Sequence, residues 1–369
     1  VGTTDPTPTA GEFEVLARLR ARLAGDAGEP ALVKPAAGEV FSGDDTAVLV
    51  PPAGRLLLAI DLVVEGVHID LALGSAADAG WKAISVNVSD IAAMGGRPLH
   101  VVAGVSASAA VDLDEVTDGM LEACAAYGLA LVGGDLTSGE RLVLSVAITG
   151  TCDDRDPVLR NGARPGDVIW VTGPLGASAA GLQLLRRPGK SAPAGAAAAG
   201  AGASAAGAAA AAGARAAAAG PAGAEVGGHG WAAAGPGDLV RAYRRPVARV
   251  LEGITAAASG ATAMIDVSDG LSQDLDHIAT QSGVGIRLTS VPVAEGASLD
   301  QALGGGEDYE LVFTAPEEAP VIEAFDAGGL LAPRRIGRCT TDAAERSIGG
   351  RPLPVSGWEH SFRSARTDQ

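Results

Sequence analysis

Two mixed α/β domains are what the sequence predicts, and three observations carry that expectation. The chain has 369 residues, and a single core seldom grows much beyond about 250 residues, so two cores are expected. Short β-type apolar runs alternate with stretches of helical periodicity along its length, the pattern of layered α/β folds. Apolar residues make up 47% of the chain but aromatics only 3%, so both cores must be built from Ala, Val, Leu and Ile.

The elements follow in order. Residues 1–10 are polar and contain prolines, and read as a disordered lead-in. The first domain is expected over 11–151 and opens on an amphipathic helix at 12–24, with Phe13, Leu16, Leu19 and Leu23 on one stripe and Arg18, Arg20 and Arg22 largely elsewhere. "AVLVP" at 47–51 and "RLLLAIDLVV" at 55–64 read as strands, 76–94 and 113–127 as helices, and "LALVGGD" and "LVLSVAITG" as two more strands.

The second domain is expected over 152–369 and repeats the habit. "DVIWVTG" is a strand, "GASAAGLQLLRR" a helix, "ATAMIDVSDG" a strand entering a turn, and "LSQDLDHIATQS" a helix. Strands at "GIRLTSV" and "DYELVFTA" and a helix near 317–327 complete it. An Ala/Gly insertion at about 191–236 interrupts this domain. Ala favours helix, whereas each of the seven glycines from Gly195 to Gly223 costs about 1 kcal/mol against it. A flexible insertion is expected, with a partly helical surface arm as the alternative.

Charge narrows the function. Lys and Arg number 27 against 44 Asp and Glu, a formal balance of −17. That sign argues against nucleic acid or an anionic membrane as partner, since both reward clustered cations. Cys124, Cys152 and Cys339 are odd in number and outside any C-x-x-C spacing, so neither a disulfide framework nor a zinc site is indicated. No basic-then-apolar leader is visible, and the long stretch at 192–224, whose one charged residue is Arg215, is too weakly apolar for a membrane span. A cytoplasmic protein is expected.

Acidic residues recur at apparent strand ends beside glycine or other small residues: Asp45 in "SGDDTAV", Asp61 in "AIDLVVEGVH", Asp90 in "VNVSDIAAMGG", Asp135 in "LVGGDLT", and Asp266 and Asp269 in "IDVSDG". Taken singly, each reads as a solvated turn or a helix cap. Six in the same setting point to a shared ligand at the sheet edges, where backbone freed of side chains approaches phosphate. Converging carboxylates repel unless cations stand between them. Hard oxygen donors without supporting His or Cys favour Mg²⁺, Mn²⁺ or Ca²⁺, and several Asp with several ions imply a polyphosphate, ATP above all. Asp274 and Asp276 read instead as serving the first turns of the following helix. Neither of the usual nucleotide signatures is present: "LRRPGKS" ends like a phosphate-binding loop, but Leu184 stands where its first glycine belongs.

Those same stretches carry a resemblance. "GDDTAV", "DLVVEGVH", "WKAISVNVSDIAAMGGRP", "GGDLTSG", "RNGARPGDVIWVTGPLG", "IDVSDGLSQDL" and "GGGEDYEL" occur in this order, and together the chain resembles the thiamine-monophosphate kinase family of the aminoimidazole ribonucleotide synthetase-like ATP enzymes. The resemblance implies ATP-dependent phosphorylation of thiamine monophosphate to the diphosphate. It implies a homodimer whose N-terminal domains pair into a β-barrel, with ATP in a cleft between the two domains. It further implies that Asp45, Asp61, Asp90, Asp135, Asp266 and Asp269 hold Mg²⁺, that Gly134, Arg160 and Ser268 contact ATP, and that His68, Glu307 and Trp358 line the thiamine phosphate site. Asp135, Arg160 and Asp269 are the residues it places closest to the reaction. The chain departs from the family pattern at Ala59 and Ile60, which stand before Asp61 where hydroxyl residues are common and offer no side-chain oxygen to a cation. A non-catalytic nucleotide or thiamine phosphate sensor, or another ATP-dependent enzyme of the superfamily, are the alternatives.

Overall fold

The computed structural model describes residues 17–18, 21–22, 33–42, 44–187 and 235–359. The lead-in at 1–10, most of the Ala/Gly insertion and the phosphate-loop-like stretch around Gly189 lie outside the described residues. Of the opening helix, residues 17–18 and 21–22 are helical, and Arg18 and Arg22 form ion pairs with Asp114 and Asp118.

The first sheet has four strands in the order β1-β4-β2-β3: β1 (Leu56–Val64), β2 (Arg97–Ala107), β3 (Ala130–Ser138) and β4 (Val143–Thr151). β2 and β3 run parallel, the other pairs antiparallel. Helices α1 (Ala76–Ala93) and α2 (Leu113–Tyr127) cover one face. α1 starts at Ser75, whose hydroxyl accepts from Asp78 N while Asp78 accepts from Ser75 N, a capping box. α2 starts on an Asp112 cap and ends on Gly128 in the left-handed region. The two helices meet almost backbone to backbone: a Cβ on Gly80 would lie 2.1 Å from Val116 O, and one on Gly119 only 1.8 Å from Ala77 O. Nearly every position of α1 is buried.

The opposite face of this sheet is open. Along β1, Leu56, Leu58, Ile60 and Leu62 alternate outward and are 50–73% exposed, while Val63 packs inward. The sheet ends at β1 and β3 and does not close on itself.

The second sheet has seven strands in the order β11-β10-β7-β9-β5-β8-β6: β5 (Val168–Val171), β6 (Ala263–Asp266), β7 (Gly285–Leu288), β8 (Leu311–Ala315), β9 (Arg334–Thr340), β10 (Arg346–Ile348) and β11 (Arg351–Pro352). Around it lie α3 (Ala177–Arg186), α4 (Pro236–Arg244), α5 (Val250–Ala258), α6 (Leu271–Ser282), α7 (Leu299–Gly304) and α8 (Val321–Ala327). Its core joins Ile265, Leu271, Leu275, Ile278, Ile286 and Val312. The molecule is thus a mixed α/β protein with two sheets.

Residues 245–249 tie the halves together. Trp81 Nε1 donates to Pro246 O at 2.8 Å, Ala248 N to the Tyr127 hydroxyl at 2.9 Å, and Arg245 pairs with Asp78 and Glu122. α1 is therefore held between the first sheet and β6, which fixes the site described below.

Several expectations change. "AVLVP" supplies one isolated bridge, Val48 to Val40, rather than a strand, because Pro51 and Pro52 follow at once and offer no N–H to a ladder. β2, β9, β10, β11, α4, α5 and α7 were not expected from the sequence. Among the described residues no helix is long and apolar enough to cross a membrane.

Candidate active site

Three segments converge between the sheets. The first is β1, where Asp61 occupies an inward-facing position and donates its backbone N–H to Asn87 Oδ1 at 3.0 Å. The second is α1, on which Lys82, Ser89 and Asp90 share one face because seven and eight residues are close to two turns. The third is the end of β6 and the turn after it. Asp266 is the last residue of β6, almost wholly buried, and accepts from Ser89 Oγ at 2.7 Å. Asp269 follows in a turn completed by Gly270 at φ +123°, a backbone value suited to glycine.

Helix α6 begins there. Asp274, in its first turn, accepts from Gly270 N at 3.0 Å and Asp269 N at 3.3 Å, so it shapes the turn as well as favouring the positive helix end. Asp276 instead faces outward to Arg346. His277 joins the group, since one ligand atom each from Asp269, Asp274 and His277 lie within 4.8 Å of one another.

The carboxylates feel one another. Burial first, then the charges of Asp266 and Asp61, push Asp90 up to about 7, with Arg160 opposing. Burial pushes Asp266 up to about 6 against the Ser89 hydrogen bond and the field of Arg160. Burial and then Asp269 raise Asp61, and burial followed by Asp266 and Asp269 brings Asp274 to about 8. Negative charge here is costly in the bare protein.

A second group borders the first. In "GGGEDYEL", Glu307 and Tyr309 hold φ of +57° and +52°, conformations uncommon for residues with a side chain. Glu307 N donates to Ser268 O at 2.7 Å and Tyr309 N to Val267 O at 3.0 Å, so the loop runs alongside the Asp269 turn. Lys82 Nζ, on a side chain only 1% exposed, lies 2.8 Å from Glu307 Oε1 and donates to His68 O at 3.1 Å. His68 Nδ1 accepts from Val64 N. Asp308 accepts from Gly176 N and Ser178 N at the start of α3, while burial pushes it up to about 7. Glu310 binds Arg249 through both oxygens and accepts from Thr172 Oγ1 at 2.6 Å. A small recess opens beside Lys82, lined also by Leu71, Tyr243 and Arg244.

From the C-terminal side, Trp358 N donates to Asp269 O at 3.0 Å, and Trp358 O accepts from Gln273 Nε2 at 3.1 Å. The Trp358 side chain stays half exposed beside the turn.

The structure therefore brings together Asp61, Asp90, Asp266 and Asp269 with Arg160 near them, and sets Ser268, Glu307, Trp358 and, through Lys82, His68 around the same turn. Asp45 sits in an exposed bend, its N–H on Asp44 Oδ1. Gly134 and Asp135 lie on β3, at the opposite sheet edge from Asp61. The cross-strand row from Asp61 runs through Val146 and Ala103 to Gly134, three strand spacings or about 14 Å. Asp135 occupies the next row, with Gly104, Ser145 and Leu62, and so points to the open face. Sequence reasoning missed Lys82, Ser89 and His277; writing "WKAISVNVSD" on a helix would have exposed the first two.

Comparison with known proteins agrees with this architecture. Residues 43–152 match the family described as AIR synthase related protein, N-terminal domain, and residues 200–349 its C-terminal domain. The chain thus belongs to the AIR synthase related class, built from those two domains. It is 34% identical over 371 residues to thiamine-monophosphate kinase of Mycobacterium tuberculosis, covering 97% of this chain and 94% of that one. Its fold is similar to the crystal structure of thiamine-monophosphate kinase from Stenotrophomonas maltophilia, at TM-score 0.68 and 30% identity over 92% of this chain and 97% of that one. It is also similar to AaThiL complexed with AMPPCP and TMP, at TM-score 0.63 and 27% identity over 98% of this chain and all of that one. Within the class, the chain belongs to the thiamine-monophosphate kinase family.

Proposed function

We propose that the chain transfers the γ-phosphoryl group of ATP directly to the phosphate of thiamine monophosphate, giving thiamine diphosphate and ADP. The observation that carries this reading is the gathering of Asp61, Asp90, Asp266 and Asp269 from three separate segments, with pKa values raised where they are shifted and Arg160 as the cation acting on Asp90 and Asp266. The relative complexed with AMPPCP and TMP supports the two substrates.

Carboxylate oxygens fit Mg²⁺, and Asp61, Asp90, Asp266 and Asp269 would hold it, with Asp45 and Asp135 kept in the set from the resemblance. When bound, Mg²⁺ neutralises phosphate charge and lets two anions approach. The chain's own groups do the rest. Arg160 stabilises charge on the transferring group, and Gly134 and Ser268 belong to the nucleotide side. The acceptor needs no strong base, because a phosphate monoester's second pKa is about 6. His68 and Glu307, beside the recess at Lys82, form the acceptor side. Trp358 offers a ring face to the cationic thiazolium, an attraction of about 0.5–2 kcal/mol.

The reading extends to the assembly and to the domains. The apolar outward row of β1 is the surface two copies would share, pairing their four-stranded sheets into a barrel, and Asp135 is carried on that face. Residues 11–151 then form the nucleotide-binding and dimerising domain and 152–369 the second domain, with ATP between them in a cytoplasmic enzyme. Ile60→Lys should shift a sedimenting dimer to monomer; an unchanged sedimentation coefficient would remove this interface. The activity is tested by incubating the pure protein with ATP, Mg²⁺ and thiamine monophosphate. Formation of ADP and thiamine diphosphate in equal amounts is expected, whereas saturable binding without either product would establish a sensor instead.

A further inference from the structure

Lys82 is the most deeply buried charged side chain among the large core residues, and its ammonium has three partners. Glu307 Oε1 lies 2.8 Å from Nζ, His68 O accepts at 3.1 Å, and the Tyr243 ring lies 4.6 Å away at its centroid. An ammonium has three N–H donors and also attracts an aromatic face. A buried charge without such partners would cost several kcal/mol, so a residue that merely filled space there would be apolar.

What Lys82 holds is more telling than what it fills. It sits on α1, two residues after the Gly80 crossing and two turns before Ser89 and Asp90, on a helix buried at nearly every position. Its carboxylate partner comes from the second sheet's side, on a loop whose backbone is left-handed at Glu307. Such a conformation costs on the order of 1–3 kcal/mol and persists only where neighbours impose it. The bonds to Ser268 O and Val267 O fix the loop's backbone, and Lys82 fixes the carboxylate itself. Glu307 keeps 27% of its side-chain surface, so the group is held yet reachable.

We propose that Lys82 is a positioning residue for the phosphate acceptor: through one ammonium it locks the Glu307 carboxylate and the His68 loop together, at a set distance from Asp90 on the same helix. This rests on the reading that Glu307 and His68 face thiamine monophosphate. It assigns Lys82 no contact with ATP.

The test compares Lys82→Met, Lys82→Arg, Glu307→Gln and the Lys82→Met/Glu307→Gln double variant. Binding of thiamine monophosphate and of ATP is measured separately by calorimetry, and KM and kcat where turnover occurs. Lys82→Met should weaken thiamine monophosphate about ten- to a hundredfold, the size of a lost charged hydrogen bond, and leave ATP within about twofold. Lys82→Arg should recover most of the loss, and the double variant should be no weaker than the more damaging of the two single variants. Equal weakening of both substrates, or additive losses in the double variant, would overturn the proposal. If Lys82→Met does not fold, Lys82→Arg and the partly exposed Glu307→Gln decide: selective weakening of thiamine monophosphate by Glu307→Gln, with Lys82→Arg close to wild type, supports it, and any other pattern opposes it. Wild-type turnover, measured alongside, separates failure of this inference from failure of the kinase reading.

Discussion

The Ser89–Asp266 hydrogen bond is the point at which α1 reaches across to the second sheet. The hydroxyl donates to the carboxylate and favours its charged form against burial. Ser89→Ala should therefore raise the Mg²⁺ concentration for half-maximal turnover about tenfold, as loss of groups that orient metal ligands generally does. Magnesium titration of initial rates checks this; an unchanged midpoint would separate Ser89 from metal binding. At the C-terminal side, Trp358→Ala should raise KM for thiamine monophosphate more than for ATP, and equal rises would remove the stacking argument. At this scale the sequence displays the carboxylates themselves, Asp61 inside an apolar run and Asp269 next to Gly270, but not which of them meet. It was illegible for Lys82 and Ser89, which look like ordinary members of an apolar helix until the facing segment is known. The open-face direction of Asp135 depended on strand register, which a single sequence does not display.

Among the elements, α1 has the least freedom. It crosses α2 through Gly80 and Gly119 with no room for a methyl group. Gly119→Ala forces the helices apart, an overpacking cost of about 1–3 kcal/mol, and should lower the melting temperature by several degrees. Gly128→Ala is the contrast, because nothing lies near its missing Cβ and only its φ of +65° is strained. Circular dichroism melts of both should rank Gly119→Ala as the more harmful; the reverse order would count against the close crossing. Helices α1, α2 and α6 were legible from caps and periodicity. β2 was not, since "RPLHVVAGVSA" mixes Pro, Gly and small residues that blur the alternation. β9 was hidden by Arg334, Arg335 and Arg338, with only Ile336, Gly337 and Cys339 facing strongly inward.

For the whole molecule, the carboxylate group links acidity, magnesium and stability. Asp266, Asp90 and Asp274 titrate near 6, 7 and 8 in the folded chain, above the ordinary unfolded value of about 3.9. The folded state therefore binds more protons between roughly pH 4 and 8. The stability they contribute is complete below pH 4 and is lost as pH rises through the folded values. Magnesium-free protein should melt at falling temperatures from pH 5.5 to 8.5, and added Mg²⁺ should restore the loss at 8.5 with little effect at 5.5. Calorimetric melts at both pH values check this, and a magnesium response equal at the two would contradict it.

The late position of β9 has a consequence for synthesis. β1 to β4 are all present once residue 151 has left the ribosome, and their pairings span a short stretch of chain. β5 emerges soon after but lies between β8 and β9, so both its edges wait for some 140 further residues or more. The nascent polypeptide thus passes through a stage in which one half is folded and the other carries an unpaired, aggregation-prone strand.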